Sequence, residues 1–280
     1  MVATRSGASS TAIQNPAYRP TDLSPDNAMN ETARAFCDDS ELGYRRSRGA
    51  LTAGEPLLMD DAYRLAHLPL VAPDHPGAVM RRDGAHYDRG RHPRVFSLVI
   101  PVDPDALDAS PAFKAMDAEC RAASFSKKIA WDLIPRRRSR LHATLCGSLA
   151  VGEPAAGLAD GLRRRIGQID SFAIELRGLF SGNINIGRLY LRVYPERRGG
   201  ANALQVVQQT LGQKATDLYL VGLYNFIDDL APEETAELKS LIDRWWERPL
   251  LRLDVRTLWL LGSCDDLVLD ASVAESFHMR

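Results

Sequence analysis

The stretch that decides the fold is RLHATLCGSL, residues 140–149. Read as a strand, its period of two puts His142, Thr144 and Cys146 on one face and Leu141, Ala143 and Leu145 on the other. An apolar face backs onto a core, while the opposite face presents an imidazole beside a hydroxyl. A strand histidine either bonds a backbone carbonyl in a half-buried position or moves a proton. Thr144 beside it, and the basic turn IPRRRSR (134–140) before it, favour the second use.

Outward from this strand, RVFSLVIPVD (94–103) is β-rich and closed by Pro and Asp, so the folded domain is expected to begin at residue 93. PDALDASPAFKAMDAECRAASF then has helical composition, with Asp103 and Ser110 as caps and Pro111 as a helix start. Downstream, PAAGLADGLRRRIGQID is amphipathic: Leu158, Leu162 and Ile166 form one stripe and Arg163 to Arg165 a solvent face. FAIELRGL (172–179), GRLYLRVYP (187–195), LYLVGLYNF (218–226) and LLRLDVRTLWLL (250–261) read as strands, and DDLVLD as a short further one. ANALQVVQQTLGQ reads as a helix closed by Gly212. APEETAELKSLIDRWW is a helix opened by Pro232 and two glutamates, burying Leu238, Leu241, Ile242 and Trp245. The elements follow no strict βαβ rhythm, which predicts an α+β fold with largely antiparallel sheets in two halves of similar content.

Residues 1–92 read as a poorly structured, partly disordered N-terminal extension. The first 55 hold few large apolar side chains, and 72–93 are Pro, Gly and charge. Short helices fit NETARAFCDD and LLMDDAYRLAHL. Over the whole 280 residues the net charge is −1, so there is no long-range pull toward nucleic acid or an anionic membrane. Four scattered cysteines, with no zinc-like spacing, point to reduced thiols in the cytoplasm. There is no bilayer-length apolar run and no signal-peptide core. G-x-S-x-G, P-loop, dinucleotide and H-E-x-x-H motifs are all missing.

The order strand, helix, H-x-T-L strand, helix, β pair, helix, strand, acidic helix resembles the two-histidine (2H) phosphoesterase superfamily, which includes bacterial RNA 2′,3′-cyclic phosphodiesterases. The resemblance covers residues 94–270 and implies a bilobal fold, with outer helices and two H-x-[TS] strands facing a central groove. It implies no metal and no cofactor, with one histidine as base, the other as acid, and the hydroxyls on phosphate oxygens. His142 and Thr144 match the first motif and are the expected catalytic pair. LVGL stands where the second motif belongs, so Leu220 replaces its histidine and Gly222 its threonine.

Around this pair, Arg140 and its neighbours Arg136 to Arg138 are candidate phosphate ligands, since guanidinium forks match phosphate oxygens. Arg188, Tyr190, Arg192 and Tyr194, alternating along GRLYLRVY against Leu189, Leu191 and Val193, form a cationic and aromatic stripe that suits a nucleotide, with Tyr190 and Arg192 the candidates for a base and a phosphate. Tyr224, on the face expected for Leu220 and Gly222, is a candidate hydrogen-bond donor. Tyr224, His278 or a second chain could fill the place of the lost histidine. HYDRGRH (86–92) reads as a charged loop in preference to a metal site, because no rigid element sets its geometry. The expected function is a divergent phosphoesterase acting on a cyclic phosphate or an oligonucleotide end. The alternatives are an inactive nucleotide or RNA-end binder using the same groove, and an unrelated α+β domain.

Overall fold

The computed structural model describes residues 34–154 and 156–280. Eight long strands carry it: β1 (Arg91–Pro101), β2 (His142–Val151), β3 (Phe172–Ser181), β4 (Arg188–Pro195), β7 (Leu220–Asn225), β8 (Pro249–Val255), β9 (Thr257–Asp265) and β10 (Ala271–His278). The short β5 (Arg197–Arg198) and β6 (Ala201–Asn202) form a ladder of their own. The long strands make one antiparallel sheet in the order β10–β9–β1–β2–β7–β4–β3–β8, curled into a half-barrel. Four strands lie on each side of a narrow seam, where β2 and β7 share the single register pair Ala143 opposite Val221. The α+β class and the antiparallel sheet are as expected.

The helices form where the composition places them. Asp103 caps α4 (Pro104–Ala109) by accepting from the amides of Asp105 and Ala106. Ser110 caps α5 (Pro111–Ala122), its Oγ accepting from the Phe113 amide. α6 (Leu133–Arg137) leads into β2, and α7 (Leu158–Ile166) buries Leu162 and Ile166. α8 (Ala203–Thr210) ends before Gly212, whose φ of +72° favours glycine. α9 (Pro232–Trp245) buries Leu238, Leu241, Ile242 and Trp245. These helices meet one face of the sheet, where Phe96, Leu98, Ile100, Ala143 and Leu145 join the main core.

Three expectations change. LLRLDVRTLWLL is two strands, β8 and β9, that turn at Arg256. DDLVLD is the turn after β9, held by Asp265, and the last strand is β10. Finally, Ala35–Arg280 form one compact unit, so the fold begins near residue 35 and not 93. Its early helices are α1 (Tyr44–Ser47), α2 (Asp61–Ala66) and α3 (Leu68–Val71).

This segment docks through single, widely spaced side chains: Cys37, Leu42, Tyr44, Leu51 and Leu57 all enter the main core. Burying each of the larger ones stabilises by about 1.5–3 kcal/mol. The Tyr44 hydroxyl donates toward the carbonyls of Val193 (2.6 Å) and Tyr219 (2.9 Å) and accepts from the Val193 amide, so its polar end is satisfied too. The helix expected over residues 30–39 is not seen in its described part, where Phe36 bridges to Glu196. Its first residues, like the rest of 1–33, lie outside the described residues. No helix among the described residues is long and apolar enough to cross a membrane.

Candidate functional site

The sheet face away from the main helices lines a cavity of about 440 Å³. That is within the range of small-ligand sites, about 300–1,000 Å³. β2 contributes His142 and Thr144, β7 contributes Leu220 and Gly222, and β4 contributes Arg188 and Tyr190. The alternate residues Val95, Ser97 and Val99 of β1, with Leu261 and Ser263 of β9, extend the same wall. Arg137 and Arg140 enter from the turn before β2, and His86, Tyr87 and His92 from the loop before β1. The seam therefore runs through the cavity, and the strands holding the first motif and its degenerate counterpart are neighbours. One register step from Ala143–Val221 sets His142 opposite Gly222 and Thr144 opposite Leu220.

His142 is held in one tautomer. Its Nδ1 lies 2.7 Å from the Arg140 carbonyl oxygen, an acceptor, so Nδ1 carries the proton and Nε2 keeps a lone pair. Burial pulls its pKa down to about 4, the bond to Arg140 opposes this, and the guanidiniums of Arg188 and Arg137 push the same way as burial. At neutral pH His142 is thus an uncharged acceptor in a positive field. It bonds a backbone carbonyl and lines the cavity at once.

The field comes from residues packed against β7. A Cβ built on Gly222 would fall 1.9 Å from Arg188 Nη2 and 2.5 Å from its Cζ, so the guanidinium occupies the space a side chain at 222 would need. Arg188 Nη1 donates to the Asp266 carbonyl (3.1 Å), its ring neighbour is Tyr190 (5.2 Å), and its buried Nε has no protein partner among the described residues. Arg137 is buried with Nη2 on the carbonyls of Gly222 and Leu223, both at 2.6 Å, and burial beside Arg188 lowers its pKa to about 9. Arg140 has no carboxylate partner among the described residues. Guanidiniums with no ion-paired carboxylate, gathered beside a neutral imidazole, suit an anion even with Asp265 and Asp266 on the opposite rim.

The opposite rim is organised by two aspartates. Asp265 Oδ1 accepts from the amides of Leu267 and Leu269, and Oδ2 from Asp270, which builds the turn after β9. Asp266 takes a hydrogen bond from the Tyr87 hydroxyl (2.7 Å) and faces His92 Nε2 (3.3 Å) and buried His67 Nε2 (3.6 Å). Burial disfavours its charge, yet the His92 and Tyr87 bonds hold its carboxyl well below the carboxylate range. The same Asp266 bond raises the pKa of His92, whose Nδ1 also bonds the Pro93 carbonyl (2.7 Å). Asp266 thus pins the loop with its side chain and Arg188 with its backbone.

Of the residues expected at the site, Arg140, His142, Thr144, Tyr190, Leu220 and Gly222 share this cavity. Others do not reach it. A bulge leaves Leu145 unpaired opposite β1, so Cys146 turns into the core and leaves the face of His142 and Thr144. A second bulge, at Leu223, turns Tyr224 toward the helices, where its hydroxyl donates to Asp117 (2.6 Å) and its ring meets Trp131 (5.3 Å). Arg192 lies farther along β4, fully buried; its guanidinium stacks on Trp246 (3.7 Å) and bonds the Trp246 carbonyl and the Tyr194 hydroxyl. It supports the fold and is no phosphate ligand. His278 ends the edge strand β10 beside Thr257 (3.3 Å) and does not line the cavity.

Arg137 and Arg188, from the basic turn and the GRLYLRVY stripe expected to meet phosphate, line the cavity too, whereas His86 and His92 come from a stretch expected only as a charged loop. The seat of Arg188 also had a signal: a glycine inside a strand marks a close approach, and Gly222 is that glycine. No group of three or more His, Cys, Asp or Glu among the described residues could hold a metal ion.

No family model and no curated protein matches the chain. Among solved structures it is similar to TT0787 of Thermus thermophilus, at 14% identity over 66% of this chain and 97% of that one, with a TM-score of 0.38. It is also similar to the conserved protein of unknown function ATU0111 from Agrobacterium tumefaciens, at 13% identity over 65% and 87% of the two chains, with a TM-score of 0.37.

Proposed function

We propose that the protein is a divergent 2H-like phosphoesterase that cleaves a cyclic phosphate or an oligonucleotide-end phosphodiester in the seam cavity. The observation that supports this reading is the juxtaposition of His142, Thr144 and Arg188, the last seated over Gly222, in one cavity. The resemblance of the element order adds to it, and two four-stranded halves meeting at one seam suit its bilobal plan. Four free cysteines suit a reducing, cytoplasmic setting.

In this mechanism the phosphoryl oxygens lie against the Arg188 guanidinium, with the Thr144 hydroxyl as a second donor. His142 Nε2 takes the proton of the attacking water or hydroxyl, since Nδ1–H is committed to Arg140. Arg188 fits the degenerate motif: the charge it brings stands where a threonine would give one hydrogen bond. An imidazole of pKa about 4 is a weak base, so turnover is slow compared with a base poised near neutrality.

A second reading is a nucleotide or RNA-end binder without chemistry. Leu220, where the family's second histidine belongs, favours it. Phosphorus NMR separates the two on the purified protein, using 2′,3′-cyclic nucleotides and RNA ending in a cyclic phosphate. The enzyme yields new phosphomonoester or phosphodiester signals that vanish in His142→Ala. A binder gives shifted or broadened signals and no product. Signals left unmoved by both protein forms would sink both readings.

A further inference from the structure

We infer that His86 is the second proton-transfer residue of this cavity, the acid for the leaving oxygen, supplied by the loop before β1 in place of Leu220. The inference rests on the phosphoesterase reading. It follows first from what the other titratable groups are doing. His142 is fixed as an acceptor. His92 has one ring nitrogen on Pro93 and the other on Asp266, leaving none for a ligand. Tyr87 donates to Asp266, and burial raises the pKa of Tyr190, which makes it a poor proton donor. Both aspartates are saturated by donors.

His86 differs from all of these. It is exposed at the cavity and has no hydrogen bond or ion pair among the described residues. Its ring is nevertheless held in place. It lies 4.3 Å from the Tyr87 ring and 6.1 Å from the His92 ring, both of which Asp266 pins. The loop is seated by Gly90, at φ +74°, where a Cβ would fall 2.7 Å from Leu70 Cγ and 3.0 Å from the Ala66 carbonyl oxygen. Asp88 bridges to both Arg81 and Arg91. An imidazole with a fixed ring and free nitrogens is equipped to pass a proton to a ligand.

The step balances without any other reagent. A water oxygen bonds to phosphorus while His142 Nε2 takes its proton. The bond from phosphorus to the leaving oxygen breaks, and that oxygen takes a proton from His86. Both histidines then exchange protons with solvent.

Leaving-group dependence tests this on the full chain. 2′,3′-Cyclic AMP expels an alkoxide that needs a proton, whereas bis(4-nitrophenyl) phosphate expels a phenolate that does not. His86→Ala should lose about 10²–10⁴-fold on the cyclic nucleotide, yet stay within about threefold of wild type on the nitrophenyl ester. His142→Ala should lose both activities. Wild-type turnover of the cyclic nucleotide by His86→Ala, with His142→Ala inactive, would overturn the role of His86 and leave the phosphoesterase reading standing. Equal loss on both substrates in His86→Ala would make the residue merely structural and also overturn the role. A wild-type protein inactive on both substrates would remove the phosphoesterase reading, and this inference with it.

Discussion

Gly222→Ala perturbs the proposed anion site by displacing Arg188 without replacing any group that would bind the anion. The new methyl carbon would need to sit 1.9 Å from Arg188 Nη2 and 2.5 Å from Cζ and Nε, so the guanidinium must move off β7. Its backbone is not in the left-handed region, so alanine is tolerated there. The strand gains about 0.5–1 kcal/mol from losing glycine's freedom. The displaced side chain gives up its bond to the Asp266 carbonyl, a loss of about 0.5–1.5 kcal/mol. These nearly cancel, so the melting temperature should move by no more than about 2–4 °C. Binding has no such offset. A charged hydrogen bond to a phosphate contributes about 1.5–3 kcal/mol, so affinity should fall about 10- to 150-fold. Titration calorimetry with a 2′-nucleotide monophosphate, beside a thermal melt monitored by circular dichroism, reads both quantities. Wild-type affinity in a folded Gly222→Ala would refute the assignment of Arg188 as the anion's partner.

Three further outcomes follow from the same geometry. His142 has a pKa depressed to about 4 against an unfolded value near 6.5, so its contribution to stability is fully present above about pH 6.5 and is lost as pH falls through about 4. His142→Gln should flatten the stability–pH slope in that window by up to about 1.4 kcal/mol per pH unit; urea melts at pH 4, 5, 6 and 7 measure it, and an unchanged slope contradicts the burial argument. Asp266→Asn should speed amide exchange across residues 86–92 while leaving the sheet protected, because the Tyr87 and His92 bonds to its carboxylate hold that loop. Tyr224→Phe should cost about 1 kcal/mol of stability through the lost Asp117 bond, with ligand affinity unchanged; a large affinity loss would return Tyr224 to the site.

Much of this architecture is legible in local sequence, and the failures have local causes as well. Alternation in RLHATL sets His142 and Thr144 apart from Ala143 and Leu145, and the structure keeps that separation. The alternation then breaks at Leu145 and Leu223, where bulges turn Cys146 and Tyr224 to the other face. A bulge depends on the partner strand, so no pattern within one strand announces it. Alternation in GRLYLRVY marks Arg188 as a phosphate candidate, but not its seat over Gly222, which only the pairing of β4 with β7 brings beside it. Residues 35–92 show little helical or strand period outside LLMDDAYRLAHL because most of them dock through separated anchors such as Tyr44 and Tyr63. HYDRGRH gets its order from Asp266, far along the chain, and composition alone made it a loose charged loop.

We propose above all that a phosphate group binds between His142 and Arg188 at the seam. The most direct measurement is a long-range nitrogen–proton spectrum of the histidine side chains during titration with a 2′-nucleotide monophosphate, with His142→Ala to assign the resonance. A phosphate bound there predicts a neutral His142 with Nδ1 protonated in the free protein, and a saturable shift of its Nε2 signal as ligand is added, weakened by Gly222→Ala. A titration that leaves the His142 signals still, while ligand binds elsewhere, would contradict it.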